Sequence, residues 1–382
     1  MTVRGRAGVL FGIDSHGAEQ EGEGNARYLR NLVSALFLTA GADDFALFAK
    51  DPGHAFYRSL PRRGRSRVVR AAQGQGFARL GWTLTKAASR EGVDALHVQY
   101  FAPLGYRRPL VVTVHDLAFL HVRESFPLRL RVALSVLVPR TMARASRIIT
   151  VSEFTRRDIL ARYAIRPEKI TVIHPGVEAR FHPRTVGETT PVLARYGLRP
   201  GFLFSLGRLN RRKNLGRLLQ AYARLRGAGA PAVPLVIGGK PDYGTDPSLA
   251  KGRPVPEVSG VRWMGLIPDE DLPAFYCGAA GFIYPSLFEG FGLPVLEAMA
   301  SGTPLVASDR AALPELAGDA GLSVDPENVE ALAEAMTRLL TDRALVAALR
   351  GRGLERSRHY SWREAADRTL AVYREAVRGI PG

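Results

Sequence analysis

Short runs of β-branched and other apolar residues recur along the chain, separated by longer stretches with apolar positions three or four residues apart. In the first half the short runs predict strands at Val9–Ile13, Phe45–Ala49, Ser66–Val69, Ala95–Val98, Leu110–Val114, Ile148–Val151 and Ile170–Ile173. A second series predicts Phe202–Leu206, Leu235–Gly238, Val261–Met264, Gly281–Tyr284, Pro304–Ala307 and Gly321–Val324. The intervening amphipathic segments predict helices, notably Ala26–Leu38, Leu128–Ala143 and Thr155–Tyr163, then Leu215–Arg226, Pro273–Cys277, Leu293–Ala300 and Val329–Leu340. Strands spaced by crossover-length segments imply βαβ units and parallel sheets. Two such series imply an α/β protein of two Rossmann-like, doubly wound domains, with their strand ends facing across a cleft.

The break falls in His174–Leu198, where Pro175, Gly176, Pro183, Gly187, Pro191 and Gly197 punctuate a stretch without sustained periodicity. The expected domains are residues 1–180 and 181–360. Residues 361–382 read as a terminal helix returning to the first domain, with Ser361 as N-cap and Glu364 three residues on.

Composition adds exclusions. A hydrophobic content of 46% with 23% charged residues suits a soluble globular chain. No apolar run approaches the ~20 residues that span a bilayer. The apolar stretch in Met1–Asp14 is too short for a signal-peptide core and reads as a first strand. A single Cys277 excludes an intramolecular disulfide framework and a cysteine-based zinc site, and a cytoplasmic location is expected. The net charge of +17 is uneven: residues 1–185 hold 29 basic and 15 acidic side chains, so the excess sits in the first half. That asymmetry suggests an anionic partner for the first half, against the plainer reading of a solvated basic face.

Two segments of the second half carry chemistry. In Pro285–Gly302 a strand runs into a Gly-rich turn, Gly290 to Gly292, and a helix begins near Pro294. Such a turn offers backbone N–H groups beside a helix N-terminus, which suits a pyrophosphate. Glu289 precedes the turn and Glu297 lies about one helical turn beyond it; each carboxylate can grip neighbouring sugar hydroxyls. In Phe202–Leu215 a strand ends at Gly207 and Arg208, and Lys213 precedes the next helix. Two cations at a strand end could neutralise a pyrophosphate leaving group without metal. Arg211 and Arg212 read as solvated.

These segments resemble the donor-site motifs of the family 4 glycosyltransferases, retaining enzymes of the GT-B fold. The family's Gly-Arg…Lys pattern falls on Gly207, Arg208 and Lys213, and its spaced pair of glutamates on Glu289 and Glu297. The resemblance implies that Arg208 and Lys213 bind the donor diphosphate. It implies that Glu289 lies at the donor sugar and Glu297 holds the ribose, with backbone at Gly290, Phe291, Gly292 and Leu293 touching sugar and phosphate. It also makes the first domain acceptor-binding and the second nucleotide-sugar-binding. Asp269 and Asp271 imitate the Asp-x-Asp metal site of another glycosyltransferase fold, but acids after Pro268 and before an apolar helix suit a helix N-terminus. No metal and no other cofactor is expected.

The likeness extends into the first half. Glu23–Tyr28 resembles the family's Gly-rich loop, with Glu23 replacing its first Gly, so only Gly24 is assigned to the donor site. Val112–Asp116 resembles the family's strand ending in His-Asp; by that resemblance His115 reaches the donor sugar and Asp116 joins the site. Ser152 and Thr155 read as a helix cap. The implied activity is transfer of a hexose, mannose and glucose among the candidates, from a UDP- or GDP-linked donor to a hydroxyl acceptor. A lipid-linked or polysaccharide precursor would be such an acceptor. A non-catalytic nucleotide-sugar-binding protein on the same fold is the alternative.

Arg58, Arg62, Arg63, Arg65, Arg67 and Arg70 cluster near Phe56, Tyr57 and Leu60, and Arg123–Arg147 mixes six Arg with apolar residues. Both stretches suit an anionic membrane surface, or else pack on their own sheet with Arg facing water. No zinc spacing or reading motif points to nucleic acid.

Overall fold

The computed structural model describes residues 8–20, 22, 24–71, 82–228, 231–240 and 259–379. The chain divides into two compact units. One takes the chain up to Leu117, Val132–Gly176 and the tail from Ser361; the other takes Ala118–Arg131 and Val177–Tyr360.

Among the described residues the first unit holds a seven-stranded parallel sheet. Its strands are β1 (Leu10–Asp14), β2 (Asp44–Ala49), β3 (Arg67–Arg70), β4 (Ala95–Gln99), β5 (Leu110–Val114), β6 (Arg147–Thr150) and β7 (Ile170–Val172), in the order β3-β2-β1-β4-β5-β6-β7. The second unit holds β8 (Phe202–Leu206), β9 (Leu235–Gly238), β10 (Val261–Gly265), β11 (Ala279–Tyr284), β12 (Leu305–Ser308) and β13 (Leu322–Val324), all parallel in the order β10-β9-β8-β11-β12-β13. The central strands β1, β5 and β12 are buried along their whole length, as parallel strands covered on both faces must be. Strand order reverses between β1 and β4 in one sheet and between β8 and β11 in the other. At such switch points the carboxyl ends of the strands leave a crevice for ligands.

The predicted strands all appear, with ends shifted by at most two residues. Several helices went unread, the two longest being Val186–Arg195 and Arg343–Ser357. Val186–Arg195 lies inside the stretch taken as a linker because Gly187 and Pro191 read as breakers. Its Thr185–Glu188 capping box satisfies the first turn and starts the helix regardless. Arg343–Ser357 was also missed; Arg and Gly dilute its apolar periodicity, and Asp342 caps it by accepting from Leu345 N–H.

The helix Trp362–Arg378 packs on the first unit. Trp362 meets the Tyr28 ring at 5.7 Å, Tyr373 hydroxyl lies 2.6 Å from His97 Nδ1, and Arg374 pairs with Asp43 at 2.7 Å. The chain leaves and re-enters this unit side by side. Gly176 lies so close to the backbone of Trp362 that a Cβ there would fall 2.0 Å from its nitrogen. One residue further, Val177 N–H donates to the Tyr360 carbonyl at 3.1 Å.

Candidate active site

In the second unit the two motif segments are the loops after β8 and β11, flanking the switch point. They are fastened together by backbone acceptors. The Arg212 carbonyl accepts from Leu287 N–H at 2.8 Å and from Ser286 Oγ at 3.1 Å. Asn214, held in the left-handed region at φ 58°, donates its amide to the carbonyls of Pro285 and Pro326. Non-glycine residues rarely adopt that φ, and the buried amide bonds hold it there. Arg211 instead pairs with Glu124 at 2.7 Å, with both side chains exposed.

Gly207 lets the Lys213 stem fold over the end of β8, since a Cβ would meet Lys213 Cε at 3.0 Å. Lys213 Nζ then reaches Glu289 Oε1 at 2.5 Å, donates to the Tyr284 hydroxyl at 2.6 Å and lies over the Tyr284 ring. Glu289 Oε1 also accepts from Ser286 Oγ at 2.6 Å and from the Tyr284 hydroxyl at 3.1 Å. Burial alone would raise the Glu289 carboxyl. Lys213 and Arg212, with hydrogen bonds from Lys213 and Ser286, outweigh burial and hold the group at about 2. Burial, with Glu289 adding to it, pushes the Tyr284 phenol well up, so it stays protonated and able to donate. Glu289 is therefore an ionised, buried carboxylate.

Gly290, Phe291 and Gly292 form the turn after Glu289 and are buried, while Leu293 is half-buried. Gly292, at φ 112° and with a would-be Cβ 2.7 Å from Leu313 Cδ2, precedes helix Leu293–Ala300. That helix carries no side-chain cap; Pro294 has no N–H and Val295 N–H is taken by the Gly292 carbonyl at 2.9 Å, so an anion at this end would meet the backbone of the turn up to Leu293. Glu297, on the same helix, is buried and accepts from the Tyr276 hydroxyl at 2.8 Å. Arg208 follows Gly207 at the end of β8 and is half-buried. Just before Glu289, Phe288 stacks on His121 at 4.6 Å.

In the first unit His115 ends up buried just past β5. Its ring meets Tyr28 edge-on at 4.7 Å and Tyr100 at 5.7 Å, and its carbonyl accepts from Thr155 Oγ1 at 3.1 Å. Thr155 is itself fixed by the Ser152 cap. His115 Nε2 is buried with no hydrogen-bond partner among the described residues. Burial, then the neighbouring His97, push the imidazole down to about 3, so it is neutral near pH 7. Asp116 lies 3.5 Å from the Tyr100 hydroxyl. Tyr100 itself takes φ 58° just past β4, another non-glycine residue in the left-handed region. Gly24 is the exposed first residue of helix Gly24–Thr39. Glu23 lies outside the described residues.

Asp271 stands at the N-cap of helix Leu272–Gly278, the helix N-terminus expected for it, without making a capping bond. It pairs with Arg195 at 2.5 Å and accepts from the Tyr196 hydroxyl, while Asp269 lies 3.8 Å from Arg180. Of the arginine cluster before β3, Arg63 donates to the carbonyls of Phe37, Gly41 and Asp43, Arg65 pairs with Asp44, and Arg67 with Glu91. Tyr57 is buried. Much of that cluster serves its own unit. Sequence reasoning missed Tyr276, Tyr284, Ser286, Tyr28 and Tyr100. The aromatic residues among them lie in or beside apolar runs and read as core or strand.

Two doubly wound parallel-sheet units, the second with cations and buried carboxylates at its switch point, define a glycosyltransferase of the GT-B fold. Solved structures agree on the fold. Sucrose-phosphate synthase from Thermosynechococcus elongatus superposes with a TM-score of 0.74 at 23% identity, over 96% of this chain and 98% of that one. Anabaena HepE in complex with UDP and glucose gives 0.69 at 18% identity, over 95% and 98%. Residues 200–342 match the family described as glycosyl transferases group 1, and residues 23–181 match glycosyltransferase family 4. The O-antigen chain mannosyltransferase B of Escherichia coli is 33% identical over 265 residues, 69% of this chain and 70% of that protein. The chain belongs to the group 1, family 4 glycosyltransferases.

Proposed function

We propose that the chain transfers a hexose, with retention at the anomeric carbon, from a UDP- or GDP-linked sugar to a hydroxyl of a polysaccharide or lipid-linked precursor, without a metal. The carrying observation is the cluster of Lys213, ionised Glu289, buried Glu297 and an uncapped helix N-terminus around one switch point. Lys213, Arg208 and the backbone N–H groups of the turn from Gly290 to Leu293 meet the diphosphate and stabilise the charge that grows on it as it leaves. Glu297 takes the ribose hydroxyls, and Glu289 orients the sugar. Neutral His115, with Nε2 unsatisfied, serves the sugar as a hydrogen-bond partner; Asp116 and Gly24 complete the proposed set. The likeness to HepE in complex with UDP and glucose and to the O-antigen chain mannosyltransferase supports the donor class and the polysaccharide setting. The test is a panel of nucleotide sugars, following nucleoside diphosphate release and donor-induced thermal shift. If none is bound or turned over and Glu297→Ala changes nothing, the proposal fails.

The acceptor's location has its own support. Helix Leu128–Arg144 leaves Leu128, Val132 and Val136 exposed at four-residue spacing, beside exposed Arg129, Arg140 and Arg144. Arg144 reaches the Pro103 carbonyl, next to exposed Leu104, whose own carbonyl accepts from Thr85 near exposed Trp82. Apolar side chains among arginines suit the interface of an anionic bilayer, and among the described residues no helix is long and apolar enough to cross one. Co-sedimentation with anionic vesicles at low salt is the expected result; Val132→Asp with Val136→Asp should abolish it. Absence of wild-type binding would sink this part.

A further inference from the structure

The switch point of the first sheet, between β1 and β4, carries a pair of titratable residues that the donor chemistry leaves unused. β1 ends at Asp14, which is only 5% exposed, and His16 Nδ1 lies 2.9 Å from its Oδ1. The His16 side chain is 34% exposed, so the pair joins a buried carboxylate to a surface imidazole. The segment bearing them is pinned on several sides. Ser15 N–H and Oγ both donate to the Phe48 carbonyl, and Tyr57 hydroxyl donates to the Ser15 carbonyl at 2.9 Å. Glu19 accepts from the N–H groups of Lys50 and Asp51, and Arg30 Nε donates to the Ala18 carbonyl at 2.6 Å. A surface histidine on a loose loop would have none of this.

We propose that Asp14 and His16 form a hydroxyl-binding pair for the acceptor at the switch point of the first sheet; this rests on the glycosyltransferase reading. The carboxylate holds the proton on Nδ1, which makes Nε2 the acceptor of a hydrogen bond from a substrate hydroxyl. The position fits. Ligands of open parallel sheets bind at carboxyl ends where the strand order reverses, and β4, the other strand at this reversal, runs into Tyr100, which lies beside His115. Register sets Asp14 level with Val98 of β4 and Val112 of β5, so His115 stands two strands over and three residues further along, about 14 Å away at the usual spacings. The ligand is a sugar or polyol hydroxyl.

The test uses the full chain labelled at histidine, with methyl α-mannopyranoside as the acceptor probe. The His16 imidazole resonance, identified by its loss in His16→Gln, is expected to move on titration with the probe and to stay in place with GDP alone. In turnover with GDP-mannose, His16→Ala should lower the ratio of transfer to donor hydrolysis by about threefold to tenfold, the worth of one hydrogen bond, with His16→Gln recovering part of it. A resonance that ignores the probe overturns the proposal. So does a shift produced equally by GDP, or a fall in transfer and hydrolysis together. A resonance that moves in a wild-type chain turning over no nucleotide sugar sinks the enzyme reading and leaves the hydroxyl site standing.

Discussion

The carboxyl edges of the two sheets solve opposite electrostatic problems. In the second unit, buried charge is compensated before any substrate arrives: Glu289 Oε1 accepts from three side chains, one of them Lys213. In the first unit the His115 imidazole is neutral, and its Nε2 has no hydrogen-bond partner among the described residues. A site that must receive a diphosphate needs cations, and cations in a protein interior need counter-charges. A site that meets a sugar needs only dipoles. On the proposed reading a donor would have to compete with Glu289 for Lys213, whereas a hydroxyl reaching His115 Nε2 would displace nothing.

The comparison breaks most visibly at Lys213. Lys213→Ala should strand Glu289 as a buried, uncompensated carboxylate and destabilise the protein by about 3–5 kcal/mol. Lys213→Ala with Glu289→Gln should recover most of that stability, by chemical denaturation, without recovering turnover. A double variant no more stable than the single one would mean that the pair is not self-compensating.

The next effect is on acid stability. His97 is held down at about 4 and His115 at about 3, each chiefly by burial, below an ordinary histidine near 6.5. The unfolded chain thus takes up protons that the folded chain refuses, and stability falls as pH drops from about 6.5 towards 4. At pH 5 the two groups together should cost on the order of 4 kcal/mol. Glu289 acts lower, its contribution being lost as pH falls from about 4.5 through about 2. Denaturation midpoints that stay flat between pH 6.5 and 5 would contradict buried, neutral His97 and His115.

Third, His115→Ala should lower turnover by about a hundredfold or more while leaving the nucleoside diphosphate thermal shift in place. Equal losses of both would erase the division of labour. The smallest expected changes are in the supporting phenols. Tyr276→Phe removes a donor to Glu297 and should raise the donor KM severalfold, about 1–2 kcal/mol. Tyr284→Phe leaves Glu289 its bonds to Lys213 and Ser286 and should cost less.

The fold was legible because buried parallel strands write themselves as short apolar runs, and β8 and β11 emerge where those runs end in Gly and polar residues. Helix Val186–Arg195 was hidden because capping by Thr185 overrode two nominal breakers. Within the site, the charged residues announced themselves, and Tyr284 and Tyr276 did not. Each lies within a buried apolar run, and apolar patterning cannot say that a phenol oxygen at the end of that run points at a carboxylate. Arginine misled in the other direction. Arg63 reads as surface charge, yet its guanidinium closes three backbone carbonyls.

The side-by-side crossings at Gly176–Val177 and Tyr360–Ser361 bear on inheritance. A module whose two ends meet can be exchanged by recombination at two cuts, with the host sheet and its terminal helix left whole. One stretch breaks the rule. Ala118–Arg131 clusters with the second unit, where His121 lies on Phe288 and Glu124 meets Arg211. A second unit transplanted into a new host should carry its own version of that stretch, so a chimera that moves Val177–Tyr360 alone should be less stable than one that moves Ala118–Arg131 with it.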